Sequence, residues 1–195
     1  LADASKTVTR AFQTVGAAVV VFGENLGELG GSEYLAQLFD RVQGEPPQLD
    51  LAAERALQAL VVALVGAGLV QSAHDCADGG LAVTLAECTF GSGGIGVEVA
   101  VDGVSTVPAA FVDAATLFGE SASRVVVSVA DGAVAQVLGA AAAAGVPARV
   151  VGRTGGSDIR IDVDGATAVR MPVAQAEAAW ATAIERRMQT AAGVA

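Results

Sequence analysis

Basic side chains are scarce in this sequence: 11 Lys and Arg stand against 21 Asp and Glu, for a formal net charge of -10 over 195 residues. A chain with that balance lacks the cationic patches that displace counterions from a phosphate backbone, which argues against nucleic-acid binding. The acidity does not by itself define a partner; its ordinary consequence is solubility. Cysteine is nearly absent. Cys76 and Cys88 form neither a CxxC pair nor a Cys/His spacing suited to a metal, so two reduced, buried thiols in a reducing cytosol are expected. No basic segment with a small-residue cleavage site opens the chain. The longest apolar run, residues 59–70, is too short and too interrupted by glycine to span a bilayer. The first residues are Leu1-Ala2-Asp3 rather than a methionine, which leads us to expect an excised domain or a fragment.

Apolar residues, by contrast, make up 53% of the chain, with Ala, Val and Gly dominant, enough to fold around a sizeable core. Against that background residues 73–81, Ala-His-Asp-Cys-Ala-Asp-Gly-Gly-Leu, stand out. They hold the only histidine, His74, and two carboxylates three residues apart beside a Gly-Gly pair. Asp78 is expected to cap the helix that follows, its side-chain oxygen accepting a first-turn N–H. Gly79 and Gly80 allow close backbone approach, and the helix would aim free N–H groups at whatever lies over the loop. Asp75 could then hold a hard cation such as magnesium, which needs only one or two protein carboxylates beside phosphate oxygens. The alternative is a capped turn with a satisfied histidine and no ligand.

The periodicity predicts a mixed order of elements. Residues 17–22 read as a strand buried on both faces. Ser32 caps a short helix over residues 33–39, and Asp50 caps a long one with Leu57, Leu60, Val61, Leu64 and Val65 on one face, ended by Gly66 and Gly68. After the central loop come a helix over 81–88 and a strand with Ile95, Val97, Val99 and Val101 inward. A helix over 108–117, a strand over 124–129, an Ala-rich helix over 131–144 and a strand over 146–151 follow. Asp164-Gly165 turns a hairpin, and Pro172 opens a closing helix carrying Ala179, Trp180 and Ile184, with Trp180 read as core. The expectation is one α+β domain: a mixed β-sheet with helices packed on it.

A second constellation joins a helix to a strand: Leu117-Phe118-Gly119-Glu120-Ser121-Ala122-Ser123-Arg124. Glu120 could pair with Arg124. Alternatively Ser121, Ser123 and the Arg124 fork offer donors suited to phosphate.

Three motifs, Gly30-Gly31-Ser32-Glu33-Tyr34, then His74 to Leu81, then Phe118 to Arg124, occur in the order and at the approximate spacing seen in one family. The chain resembles the C-terminal part of the large subunit of phosphoribosylformylglycinamidine synthase, the second of its two C-terminal-type domains. The resemblance implies a fold like the C-terminal domain of aminoimidazole ribonucleotide synthetase. It implies a single domain over 1–195, with 1–16 as a linker from a preceding N-terminal-type domain. It also implies a cytoplasmic, ATP-dependent ligase of purine biosynthesis. Its cofactors are Mg2+ and ATP or ADP, and its partners are the remaining synthase domains, a glutaminase subunit and a small accessory subunit. Asp75 matches a magnesium ligand of an auxiliary nucleotide site. Ala77 stands where a serine usually contacts the nucleotide. Ser121, Ser123 and Arg124 correspond, by pseudo-symmetry, to a substrate-phosphate loop. The family's catalytic histidine and ATP-binding segments match nothing in this chain, and His74 is not that histidine, so no catalytic residue is expected and the chain alone should be inactive. Rival readings are another synthetase or kinase of the same superfamily, or a purely structural interface domain; no Sec/Cys-Lys nucleophile pattern supports a selenophosphate synthetase.

Overall fold

The computed structural model describes residues 6–192. Its centre is a seven-stranded mixed sheet in the order β2-β4-β1-β5-β3-β6-β7. The strands are β1 (Ala18–Phe22), β2 (Ser72–Asp75), β3 (Val97–Val101), β4 (Val125–Val129), β5 (Ala148–Thr154), β6 (Asp158–Val163) and β7 (Ala166–Pro172). Every neighbouring pair is antiparallel except β3 and β6. The helices are α1 (Glu33–Phe39), α2 (Leu51–Gly66), α3 (Gly80–Thr89), α4 (Val112–Phe118), α5 (Val134–Ala143), α6 (Val173–Ala181) and α7 (Ala183–Ala192).

β1 is apolar throughout because both of its faces are covered. Val19 belongs to a core with Leu81 and Leu85 of α3, Leu117 of α4 and Val173 of α6. Val20 and Phe22 turn the other way, onto Leu57, Leu60 and Leu64 of α2 and Val137 and Ala141 of α5. The β6 strand alternates, as a half-covered strand must. Ile159, Ile161 and Val163 enter the first core. Arg160 and Asp162 face outward, paired at 2.9 Å. Thr167 of β7 donates to Asp162 at 2.7 Å. That hydroxyl bond and the Arg160 guanidinium hold the Asp162 carboxyl below its ordinary range.

Several expectations are corrected. Residues 72–75 form an edge strand, β2, where only a loop was expected; four residues are too few for a period to register. The closing helix is two helices, interrupted at Thr182. Trp180 is not core: it is 51% exposed, resting on Phe90 at 5.5 Å with Arg10 over its ring at 5.6 Å. Of the stretch read as a linker, residues 1–5 lie outside the described residues. The rest packs on the domain: Phe12 is buried in the first core and its N–H donates to Cys88 O at 2.8 Å.

Candidate functional site

The strand directions bring the C-terminal ends of β1, β2, β3 and β6 and the N-terminal ends of β4, β5 and β7 to one end of the sheet. All three sequence motifs lie there. The first leads into α1, with Ser32 as N-cap accepting from Leu35 N at 3.4 Å. The second joins β2 to α3, and the third joins α4 to β4.

Glu120 holds them together. Its Oε1 accepts the Gly79 N–H at 2.8 Å and the Glu33 N–H at 2.9 Å, so one carboxylate oxygen on the third motif holds the N-cap residue of α3 and the first residue of α1. Its own N–H donates to Glu28 O at 2.9 Å. The expected pairing of Glu120 with Arg124 is therefore replaced by bonds to backbone. Asp78 is likewise corrected: it is exposed and caps nothing, because Gly79, at φ 80°, occupies the cap position and no side chain of the loop bonds there. Gly80, at φ 63°, lies so close to the third motif that a Cβ would stand 2.5 Å from Gly119 O. That approach is open only to glycine. Tyr34 stacks on Phe118, with ring centroids 5.1 Å apart.

His74 donates or accepts at both ring nitrogens: Nε2 lies 2.8 Å from Glu87 and Nδ1 3.3 Å from Asp75. It is the satisfied histidine that the alternative reading of the loop described. The Asp75 side chain is 72% exposed. Among the described residues no three His, Cys, Asp or Glu side chains cluster as a metal site. The donor set thus fits magnesium only as one contributed carboxylate, the remaining ligands coming from phosphate, water or another domain. Ala77 is exposed and offers no hydroxyl; its carbonyl accepts from Gly80 N at 3.0 Å. Cys76, between them, is buried, and its N–H donates to Arg124 O at 2.9 Å. Both cysteines are free thiols. Burial raises the proton affinity of each.

The hydroxyls of the third motif are already engaged, and so are two of the three guanidinium nitrogens. Ser121 is buried and its Oγ accepts from Leu26 N at 3.1 Å. Ser123 sits at φ 58° and donates to Glu54 of α2 at 2.6 Å. Arg124 is only 2% exposed; its Nε donates to Ser121 O at 3.0 Å and its Nη2 to Gly119 O. Burial draws its proton affinity down, and Cys76, Glu28 and Glu120 oppose that. The loop also leaves backbone free: the amides of Ser121, Ala122 and Ser123 find no acceptor among the described residues. Successive free amides ending on a left-handed residue are a recurrent cradle for anions. Sequence reasoning missed Glu120 as the tie. The signal available was a carboxylate following Phe-Gly in a chain whose other two motifs each end at a helix start.

Fold and site together define an α+β domain that gathers glycine-rich loops at one end of its sheet. The family described as AIR synthase related protein, C-terminal domain, matches residues 14–164, and the chain belongs to that family. The phosphoribosylformylglycinamidine synthase subunit PurL of Moorella thermoacetica is 41% identical over 94% of this chain. That of Anaeromyxobacter sp. is 42% identical over 92%. The chain spans about a quarter of these relatives, 24% and 23% of their lengths. The same fold is found in T. maritima PurL complexed with FGAR, with a TM-score of 0.74 at 21% identity over 89% of this chain and 30% of that one. It also occurs in thiamine-monophosphate kinase from Stenotrophomonas maltophilia K279a, with a TM-score of 0.51 at 18% identity over 84% of this chain and 54% of that one.

Proposed function

We propose that this chain serves as the second C-terminal-type domain of a phosphoribosylformylglycinamidine synthase large subunit. The observation that carries this reading is the 41% identity over 94% of the chain to a PurL subunit. The whole enzyme would be a cytoplasmic ligase of purine biosynthesis, working with a glutaminase subunit and a small accessory subunit. In its reaction ATP phosphorylates the amide oxygen of formylglycinamide ribonucleotide and releases ADP. Ammonia from glutamine then adds at the activated carbon, and phosphate leaves to give the amidine. Such chemistry depends on positioning and on neutralising phosphate charge.

In this role the chain contributes placement rather than a reacting group. Asp75 offers an exposed carboxylate toward a magnesium-nucleotide pair held jointly with another domain. Magnesium, when bound, neutralises phosphate oxygens. Ala77 presents backbone alone, so the auxiliary nucleotide is held without the hydroxyl contact. The loop over residues 120–124 takes phosphate through the amides of Ser121, Ala122 and Ser123, while the Ser121 and Ser123 hydroxyls and Arg124 fix the loop's shape.

The test is a chimera in which this chain replaces the corresponding quarter of the Moorella thermoacetica subunit. Amidine formation from ATP, ammonia and formylglycinamide ribonucleotide is expected from the chimera and not from the 195-residue chain alone. A folded chimera without turnover, or turnover by the chain alone, contradicts the reading.

A further inference from the structure

At the same end of the sheet, on the α3 and α4 side, lies a cleft of about 580 Å³, within the range of small-molecule sites. We propose that this cleft binds a small organic anion, with its oxyanion head against Arg124 and its apolar body over the sheet. The cleft shares only Arg124 with the loop discussed above, and the proposal does not depend on the synthase reading.

The floor is apolar, formed by Val21, Leu81, Val101 and Val151. A β-bulge shapes it. The β1–β5 register shifts between Val19 and Val20, so Val151 has no partner on β1, while Arg149 stands opposite Val21 and so shares its face of the sheet. Bulges re-aim side chains in this way next to binding sites. Asn25 has its amide nitrogen on Thr116 O at 2.8 Å and its amide oxygen on Gly27 N at 3.0 Å, and the buried polar side chains that line the cleft, Arg124 and Thr116, offer donors. Arg124 has two of its nitrogens on carbonyls, but Nη1 finds no acceptor among the described residues and is not sealed within the protein; the cleft is the space that Arg124 lines. The nearby carboxylates do not close Nη1. Glu120 is engaged by the Gly79 and Glu33 amides. Glu28 accepts from Gln48 N at 2.9 Å through one oxygen, and its other oxygen is buried without a partner among the described residues. Thr116, buried beside the cleft, accepts the Val104 N–H at 3.0 Å and keeps its own hydroxyl proton. Ser105 is exposed at the mouth.

The carboxylates lining the cleft, Glu24 and Asp102, are both exposed, and Asp102 is already paired with Arg149 at 2.9 Å. Buried donors with acids at the rim favour an anionic head inside. A charge-assisted bond to a desolvated guanidinium is stronger than a neutral one.

The experiment is a titration of the isotope-labelled chain with phenyl phosphate, benzoate and benzyl alcohol, followed by amide chemical shifts. Both anions are expected to move Gly23, Leu81, Ser105 and Thr106, the tighter of the two identifying the preferred head. Benzyl alcohol, lacking charge, should bind about tenfold more weakly. Ser105→Trp, a change at an exposed position that fills the mouth, should abolish these shifts while the rest of the spectrum keeps its folded dispersion. The proposal is overturned if neither anion moves those amides. It is equally overturned if benzyl alcohol binds as well as the anions, or if the shifts persist in Ser105→Trp.

Discussion

Glu120 accepts the Gly79 amide at 2.8 Å across 41 residues of sequence, and this contact fixes where α3 begins. With Glu33 on the same oxygen, the loops before α1 and α3 are tied to the loop before β4. Removing the carboxylate leaves two helix-start amides without their acceptor. Glu120→Ala should therefore lose about 2 kcal/mol, since bonds to charged groups are worth about 1.5–3 kcal/mol each and partial exposure reduces that. Glu120→Gln keeps one acceptor oxygen and should lose less than half as much. Urea melts of the three proteins check the order; equal stability of Glu120→Ala and the parent would sink the tie.

Glycine positions separate close approach from open space. Gly80→Ala brings a Cβ to 2.5 Å from Gly119 O at a backbone angle of 63°. It should cost about 2 kcal/mol or more, through strain that cannot relax without moving the third motif. Gly139, inside α5, faces open space: a Cβ there would meet nothing within 4 Å. Gly139→Ala should stabilise the chain by up to about 1 kcal/mol, the helix-propensity difference. Thermal midpoints moving in opposite directions confirm the contrast.

Asp75 presents the opposite case to Glu120. Its carboxylate is exposed and its side-chain contact is His74 at 3.3 Å. Asp75→Asn should change stability by no more than about 0.5 kcal/mol. A loss above about 1 kcal/mol, the size of a lost cap, would make the residue architecture and remove it as a candidate magnesium ligand.

The pH dependence of stability should carry the mark of the two thiols. Burial raises both from the ordinary value of 9.0. A group whose proton is held more tightly in the folded state contributes its full stability below the unfolded pKa. That contribution is lost as pH rises from there through the folded pKa. Stability should therefore fall above about pH 9, and the fall should be shallower in the Cys76→Ala, Cys88→Ala double variant. Parallel slopes for the two proteins would contradict the burial argument. At neutral pH a thiol reagent should react only upon unfolding.

Much of this was legible in the sequence, and the reasons are local. The β1 run, the Ser32 and Asp50 caps, the β6–β7 hairpin at Asp164-Gly165 and the alternation of β3 each rest on a few adjacent residues. The α+β class followed from their order. The misses depend on contacts between distant stretches. β2 is only four residues and borrows its pairing from β4. Trp180 reads as core by its chemistry, yet α6 turns it to the rim of the first core. Asp78 is a good cap by type, but the left-handed Gly79 takes the cap position, and its N–H is bound by a carboxylate from another loop. The cleft is assembled from residues between 21 and 151, and no single stretch announces it.

That three separated motifs act as one unit is tested most directly by hydrogen exchange at two amides, Gly79 and Glu33. Both should be protected in the parent chain, and both should lose protection together in Glu120→Ala while the β1 and β4 amides keep theirs. Loss at one amide without the other, or undiminished protection at both, would mean that the loops are held independently and that Glu120 does not join them.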